Sequence, residues 1–287
     1  MLVGAKFLLI AGLVGFVLLA WLISLIAGLD RAVHLGPVIA AAMAGVPALF
    51  WLGFFYLLDR HEPEPKNLIA GVFVLGALIA APLAGFVVKH VAPEPALAID
   101  YSLRSWVDHV LYAVMAVGLA QEMCKYAAVR YTVYLSREFD EPMDGIVYMM
   151  ACGTGFAVWE NYHWLADQGR SIGGHVVLLP VAAARVVVTT LAHASFAGAL
   201  GYVMGRAKFS RRGAVLRAVL VLLGLLGAAA LNGSFQLVYS AVLGAGMTEH
   251  VWRGLLWAML YAAAVFGVIW FLAQRLLAAS PFRPGAV

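Results

Sequence analysis

The residues of this sequence that could do chemistry lie inside long apolar stretches, where polar side chains are costly. In one stretch, Glu122 and Lys125 are three residues apart, which places them on one face of a helix. In the next stretch, Phe156 and Glu160 are one helical turn apart. An ionisable side chain within a membrane costs at least about 2.5–3.5 kcal/mol on insertion scales, so each one is a candidate for function.

Two further stretches repeat polar residues at every fourth position. Arg185, Thr189 and His193 form one such stripe, and Asn232 and Gln236 belong to another. On a helix, positions four apart lie on the same face. Because polar stripes are least costly when they face each other, we expect a shared polar pocket among these four helices.

The residue types in this pocket suit the hydrolysis of an amide bond. Such a reaction needs a base that deprotonates water and donors that hold the developing oxyanion. A buried glutamate could be the base, since burial raises the pKa of a carboxyl group. A set of Glu and His can also hold Zn²⁺, which lowers the pKa of bound water to about 7.

Two other interpretations of the same stripes stay open at this point. Glu122 with Lys125, or Glu160 with Arg185, could form buried ion pairs that only fix helix packing. Glu, His and Arg stripes also serve as proton or ion relays in transporters. The spacing of the residues does not separate a transporter from a hydrolase.

The composition identifies the elements that carry these stripes as membrane helices. Of the 287 residues, 64% are hydrophobic and 12% are charged, which excludes an ordinary soluble domain, a disordered chain and a basic nucleic-acid-binding domain. A membrane-spanning helix needs about 20 apolar residues. We therefore predict an all-α polytopic membrane protein, folded as a single transmembrane domain over residues 1–287. About eight helices are expected, at 7–29, 35–58, 68–88, 109–134, 145–165, 175–204, 218–243 and 254–273. The polar core is expected on the four helices at about 109–134, 145–165, 175–204 and 218–243.

The basic residues predict the orientation of the chain. If there are eight spans, most Lys and Arg in the loops fall on the side that carries both termini, and the segment RAKFSRR at 206–212 contributes much of this bias. Positive loops face the cytoplasm, so we expect both termini there. The acidic, proline-rich stretch at 61–65 lies on the same side. We interpret it as a rigid turn whose prolines end the second helix, with a contact to substrate as the alternative.

Taken in order along the chain, these segments resemble the PrsW family of intramembrane proteases, part of the superfamily of type II CAAX prenyl endopeptidases. The resemblance covers roughly residues 50–240. The segments that carry it are FYLLDRHEPEPKNLIAGVFVLGAL at 55–78, QEMCK at 121–125, FDEPMDGIVYMMACGTGFAVWENYHW at 139–164 and HASFAGALGYVMGRAKF at 193–209.

Two of the family's motifs are altered in this chain. The family pattern Glu-Glu-x-x-Lys appears with Gln121 in place of the first glutamate. The Phe-x-x-x-Glu motif and the histidine of the next polar helix are intact. The last motif usually has a histidine where this chain has Asn232. An amide can donate to an oxyanion, but it is a poor substitute for imidazole as a metal ligand.

The resemblance implies an intramembrane endopeptidase that uses a glutamate-activated water. Glu122 and Glu160 would activate the water, and Lys125 and Arg185 would orient the carboxylates. His193 would stabilise the oxyanion or, with Glu160, hold a metal such as zinc. Asn232 would supply a further donor.

The implied substrate is a single-span membrane protein such as an anti-sigma factor, cut in the lipid bilayer without any nucleic-acid partner. The implied location is the bacterial inner (plasma) membrane. The alternative is a catalytically degenerate relative that binds a membrane helix or acts as a scaffold.

Overall fold

The computed structural model describes residues 2–28, 35–59, 62–91, 103–167, 179–244 and 251–282. The last residue of the first predicted span, the start of the sixth at 175–178 and His61 of the proline-rich stretch lie outside the described residues. Within them the chain is helical and contains no strand.

Eight long helices follow one another in the described residues, and each matches one predicted span. Six of them are long and apolar enough to cross a membrane; α4 and α5, which carry Glu122 and Glu160, are not among those six. The helices are α1 (Leu2–Ile26), α2 (Pro37–Tyr56), α3 (Lys66–Val91), α4 (103–130), α5 (Pro142–Asp167), α6 (Leu179–Lys208), α7 (Ala214–Gly244) and α8 (Val251–Ala279).

The prolines of the stretch at 61–65 do not end the second helix as predicted. Helix α2 already ends at Tyr56, ahead of Pro63. Pro65 instead directly precedes the first residue of α3. A proline fits just before or at the start of a helix because the first backbone N–H groups have no partner within the helix.

Helix α5 lies at the centre of the bundle and packs against α2, α3 and α6. Its residues Tyr148 and Phe156 are among the largest fully buried side chains. Glycine allows the close approach to α6, since a Cβ atom on Gly153 would lie 2.6 Å from the backbone oxygen of His193. The central helix therefore holds two candidate site residues, Phe156 and Glu160, against the helix that carries His193.

Helices α3 and α4 each contain a π-helical segment, at Gly76–Ala80 and Tyr112–Gly118. Each segment includes a glycine at a backbone contact. A Cβ atom on Gly76 would collide with the backbone of Cys152 in α5, and one on Gly118 would collide with the backbone of Ala229 in α7. The first contact holds α3 against α5, and the second holds α4 against α7 immediately before the candidate site residues of α4.

Candidate functional site

A buried polar centre lies where α4, α6 and α7 meet. The Lys125 ammonium is 2.7 Å from Oε1 of Glu122, and both side chains are fully buried. The same ammonium is 3.3 Å from Nδ1 of His193. An ammonium can only donate, so Nδ1 of His193 accepts and its proton is assigned to Nε2. Residues 68 positions apart in the sequence thus form one hydrogen-bonded unit.

Asn232 of α7 completes this centre by donating two hydrogen bonds from its amide nitrogen. The acceptors are Oε1 of Glu122 at 2.8 Å and Oε1 of Gln121 at 2.9 Å. A second glutamate at position 121 would place two carboxylates on one amide donor. Gln121 removes that charge, so the centre contains one carboxylate and one ammonium and is electrically balanced.

Phe156 of α5 covers the centre from a fourth helix. The centroid of its fully buried ring lies 4.5 Å from the Lys125 ammonium and 5.3 Å from the centroid of the His193 ring. A cation over an aromatic face is stabilised, most strongly where water is excluded. The phenylalanine of the Phe-x-x-x-Glu motif therefore packs its ring against both the ammonium and the His193 ring.

Two oxygen atoms of the centre are buried without a hydrogen-bond partner in the described residues. They are Oε2 of Glu122 and Oδ1 of Asn232. Leaving a buried polar group unpaired costs about 1–3 kcal/mol. Because both atoms only accept hydrogen bonds, a water molecule or another donor would satisfy them.

Glu160 lies one turn after Phe156 and is half-buried. It forms no hydrogen bond to the described residues, and no ion pair joins it to Arg185. The charges of Lys125 and Arg185 both act on its carboxyl group. Glu160 is therefore near the polar centre, and its carboxylate is not occupied by a described partner.

Arg185 and Thr189 belong to a separate polar cluster around Asn161. Oδ1 of Asn161 accepts from Nη1 of Arg185 at 3.4 Å and from the Thr189 hydroxyl at 2.6 Å. The amide nitrogen of Asn161 donates to the Thr190 hydroxyl at 3.2 Å. The Arg185 guanidinium also stacks 3.7 Å above the Trp164 ring. The stripe on α6 thus divides between two clusters, and its arginine does not contact the Glu122 centre.

The sequence analysis missed a cluster of three buried carboxylates at one end of the bundle. Oxygen atoms of Asp59, Glu64 and Asp144 all lie within 4.8 Å of one another. The Tyr148 hydroxyl donates to Glu64. Burial and the neighbouring charge of Asp144 raise the pKa of Glu64 to about 9, so this carboxyl holds its proton at neutral pH.

Glu141 lies beside this cluster and connects it to the last helix. The hydroxyl of Ser280, just after α8, donates to Oε2 of Glu141 at 2.6 Å. Burial raises the pKa of Glu141 to about 7, against the opposing effect of the Ser280 hydrogen bond. The backbone N–H of Glu141, just before α5, also donates to the side chain of Asp144, the third residue of the helix, as in a capping box.

The metal ligands expected from the sequence are Glu160 and His193, whereas the structure gives metal-ligand spacing to a different group of residues. Among the described residues this group is Asp59, Glu64 and Asp144, and three carboxylates suit magnesium or calcium better than zinc. At the polar centre, a divalent ion on Glu122 Oε1 and His193 Nδ1 would have to displace the ammonium that contacts both atoms. These two atoms do not fit a metal while Lys125 stays in place.

Comparison with known proteins gives a consistent result over most of the chain. Residues 64–274 match the model of a family described as "PrsW family intramembrane metalloprotease". A protein named Protease PrsW from Geobacillus kaustophilus is 33% identical over 168 residues, which cover 58% of this chain and 66% of that relative. Proteins of the same name from Oceanobacillus iheyensis and Bacillus subtilis are 31% and 28% identical, covering 58% and 71% of this chain and 68% and 84% of their own lengths. No solved structure matches the chain.

Proposed function

The chain belongs to the PrsW family of intramembrane metalloproteases, and from this premise we propose that it hydrolyses a peptide bond of a membrane-anchored protein. The observation that supports the proposal most directly is the convergence of polar side chains from three helices, α4, α6 and α7, on one buried centre that contains a carboxylate. Glu122 is held by Lys125 and Asn232 through one oxygen, while its other oxygen has no partner among the described residues.

In the proposed mechanism, Glu122 and Glu160 activate the attacking water. Oε2 of Glu122 is a buried acceptor that can take a hydrogen bond from water. The carboxylate of Glu160 is half-buried and so can exchange a proton more readily than the enclosed Glu122. A carboxylate that takes a proton from water in the attack is a general base, a role worth about 10²–10⁴-fold in rate.

His193 is the proposed donor to the oxyanion. Its Nδ1 atom faces the Lys125 ammonium, which leaves the N–H at Nε2 to donate. A single oxyanion donor typically contributes about 10²–10³-fold in rate. Both N–H groups of Asn232 are used by Gln121 and Glu122, so this residue first orients Glu122 and donates to the oxyanion only if one bond is released.

Lys125 and Arg185 are proposed to position carboxylates. Lys125 does so by contact with Glu122, whereas Arg185 acts on Glu160 through its charge and is itself held by Asn161. The proposed steps require only side chains of this protein and the attacking water. Zinc on Glu160 and His193 stays a separate prediction, and metal analysis of the purified protein together with cleavage in the presence of a chelator tests it.

The proposed substrate is a protein with a single membrane span, such as an anti-sigma factor. A site enclosed by α4, α5, α6 and α7 suits a segment that reaches it through the bilayer. The location that follows is the bacterial inner membrane, with both chain termini in the cytoplasm as the basic segment at 206–212 predicts.

The experiment compares membrane proteins from cells that express the wild-type chain, Glu160→Gln or Glu138→Gln. Glu138 is exposed in the loop before α5, which makes it a matched control for the same chemical change. Wild type and the control should release a fragment of one single-span protein, and the Glu160→Gln variant should copurify with that protein uncut. The fragment should then form from the two purified proteins in liposomes.

A binding scaffold is the second candidate function. The fully buried, balanced pair of Glu122 and Lys125 favours it, since such a pair can also serve packing alone. If the protein is a scaffold, the wild type and the Glu160→Gln variant should both copurify with the same intact partner, and neither should release a fragment of it. That outcome would refute proteolysis and support binding.

A further inference from the structure

A cavity of about 450 Å³ lies between the end of α4, the end of α6 and the start of α7. It is separate from the Glu122 centre and from the three carboxylates. Its lining combines three cationic side chains with an apolar wall. The lining includes Arg130, Tyr134, Lys208, Arg217, Leu222 and Leu225.

Two of the three cations have no charged partner among the described residues. No carboxylate lies within ion-pair distance of Arg130 or Arg217 in the part of the chain that the structure describes. Nη1 of Arg130 and Nε of Arg217 are also buried and without a hydrogen-bond partner there. Gathering unpaired guanidinium groups in one cavity is unfavourable unless an anion binds between them.

The third cation fixes the wall of the cavity. Lys208 donates to the backbone oxygens of Tyr134 at 2.7 Å and Phe139 at 2.6 Å, which ties the loop before α5 to the end of α6. The Arg130 guanidinium lies 4.6 Å above the Tyr134 ring. Arg130 is thus held in place by a ring whose own loop is anchored, so the cavity is built before any ligand enters it.

The apolar wall indicates that the anion is attached to a hydrocarbon chain. Val221, Leu222 and Leu225 line the cavity on α7, one to two turns further along the helix than Arg217. Leu222 and its neighbours Leu223 and Leu226 are exposed on the outer face of the same helix. A headgroup between the arginines would therefore have its acyl chains along α7, an arrangement typical of basic pockets that bind anionic lipids.

We propose that this cavity is a binding site for the phosphate headgroup of an anionic phospholipid. Arg130 and Arg217 bind the phosphate, Lys208 adds positive charge behind them, and α7 carries the acyl chains. The site goes beyond the proposed proteolysis and does not depend on it.

The test measures lipid binding to the purified full-length chain in detergent by native mass spectrometry. The probes are palmitoyl-oleoyl phosphatidylglycerol, the zwitterionic phosphatidylcholine with the same chains, and millimolar inorganic phosphate. Each cation close to an anionic lipid adds about fivefold to affinity. We therefore expect Arg130→Gln and Arg217→Gln each to weaken phosphatidylglycerol binding about fivefold, and the double variant about 25-fold.

The matched control is Arg211→Gln with Arg212→Gln, which removes the same charge from exposed residues of the adjacent loop. This control should bind phosphatidylglycerol as wild type does. Folding is checked by the unfolding temperature in phosphatidylcholine, which should not fall in the Arg130 and Arg217 variants because they relieve repulsion.

If the control and the cavity variants lose phosphatidylglycerol affinity equally, the proposed site is refuted, because the lipid would then be attracted by the whole basic surface. Equal binding of phosphatidylglycerol and phosphatidylcholine by wild type would overturn it as well. If inorganic phosphate displaces phosphatidylglycerol and binds as tightly as the lipid does, the proposal that the ligand is a lipid is refuted.

Discussion

Replacing Lys125 with methionine should destabilise the protein strongly, whereas replacing Glu122 with glutamine in the same molecule should reverse most of that loss. The two groups are 2.7 Å apart and fully buried. Removing one partner of such a pair leaves a buried charge without compensation, which costs about 3–5 kcal/mol. Methionine has a similar length to lysine and would stay packed against Phe156.

The double replacement removes both charges together. Glutamine at position 122 can still accept from Asn232 through its side-chain oxygen. Exchanging a buried ion pair for neutral side chains of similar size is neutral or stabilising by about 1–4 kcal/mol. The coupling energy of the cycle should therefore be several kcal/mol, and the double variant should be more stable than either single variant.

The unfolding temperature in detergent, followed by the fluorescence of the 8 tryptophans, measures each corner of the cycle. A loss of 3–5 kcal/mol corresponds to about 6–20 °C at roughly 2–4 °C per kcal/mol. Additive losses in the double variant would refute the ion pair as the stabilising interaction. Cleavage of substrate by the stable double variant would refute a role for Glu122 in activating water.

Three further predictions concern other parts of the molecule. Because the pKa of Glu64 is raised to about 9, the native state loses stability as pH rises from 4.5 towards 9. In the presence of a chelator, Glu64→Gln should therefore reduce the fall in unfolding temperature, most clearly above pH 7, where the raised pKa of Glu141 contributes little further. Gly153→Ala should lower stability by about 1–3 kcal/mol because its Cβ atom would lie 2.6 Å from the backbone oxygen of His193, whereas Gly227→Ala, with open space around it, should not lower the unfolding temperature. Gln121→Glu should add a second carboxylate to one amide donor and lower the unfolding temperature most above pH 7; equal stability at pH 5 and pH 8 would contradict the charge balance described above.

The helices could be predicted from the sequence because the apolar stretches are long and end in polar loops. Each of the eight long helices in the described residues overlaps one predicted span. The boundaries were less accurate: α6 runs to Lys208 rather than 204, and α7 begins at Ala214 rather than 218. A helix can continue beyond the hydrocarbon core as long as its backbone hydrogen bonds form. Hydropathy marks the end of the apolar stretch and not the end of the helix.

The partners of the stripe on α6 could only partly be predicted. Arg185 and His193 are eight residues apart, and two turns of a helix take 7.2 residues. The stripe therefore rotates by about 80° from one end to the other. Arg185 consequently faces Asn161 and the Trp164 ring, while His193 faces Lys125.

The three buried carboxylates could not be found from spacing. Glu64 and Tyr148 are 84 positions apart, and acidic residues in a loop are usually solvated. Burial of Asp59 and Asp144 depends on how α2, α3 and α5 meet, which no local pattern encodes. The signal that could have drawn attention to them was the occurrence of both acidic segments within the stretches that resemble the PrsW family.

The π-helical segment at Tyr112–Gly118 also determines the angular phase of α4. Such a segment amounts to one residue inserted into an α-helix, and one residue corresponds to a rotation of about 100° around the axis. Deleting one residue from it would leave the helix continuous and apolar. The rotation would carry Glu122 and Lys125 off the side that faces His193 and Asn232. The register of one residue, in a segment without a charged side chain, thus decides whether Glu122 and Lys125 point towards the polar centre or into lipid.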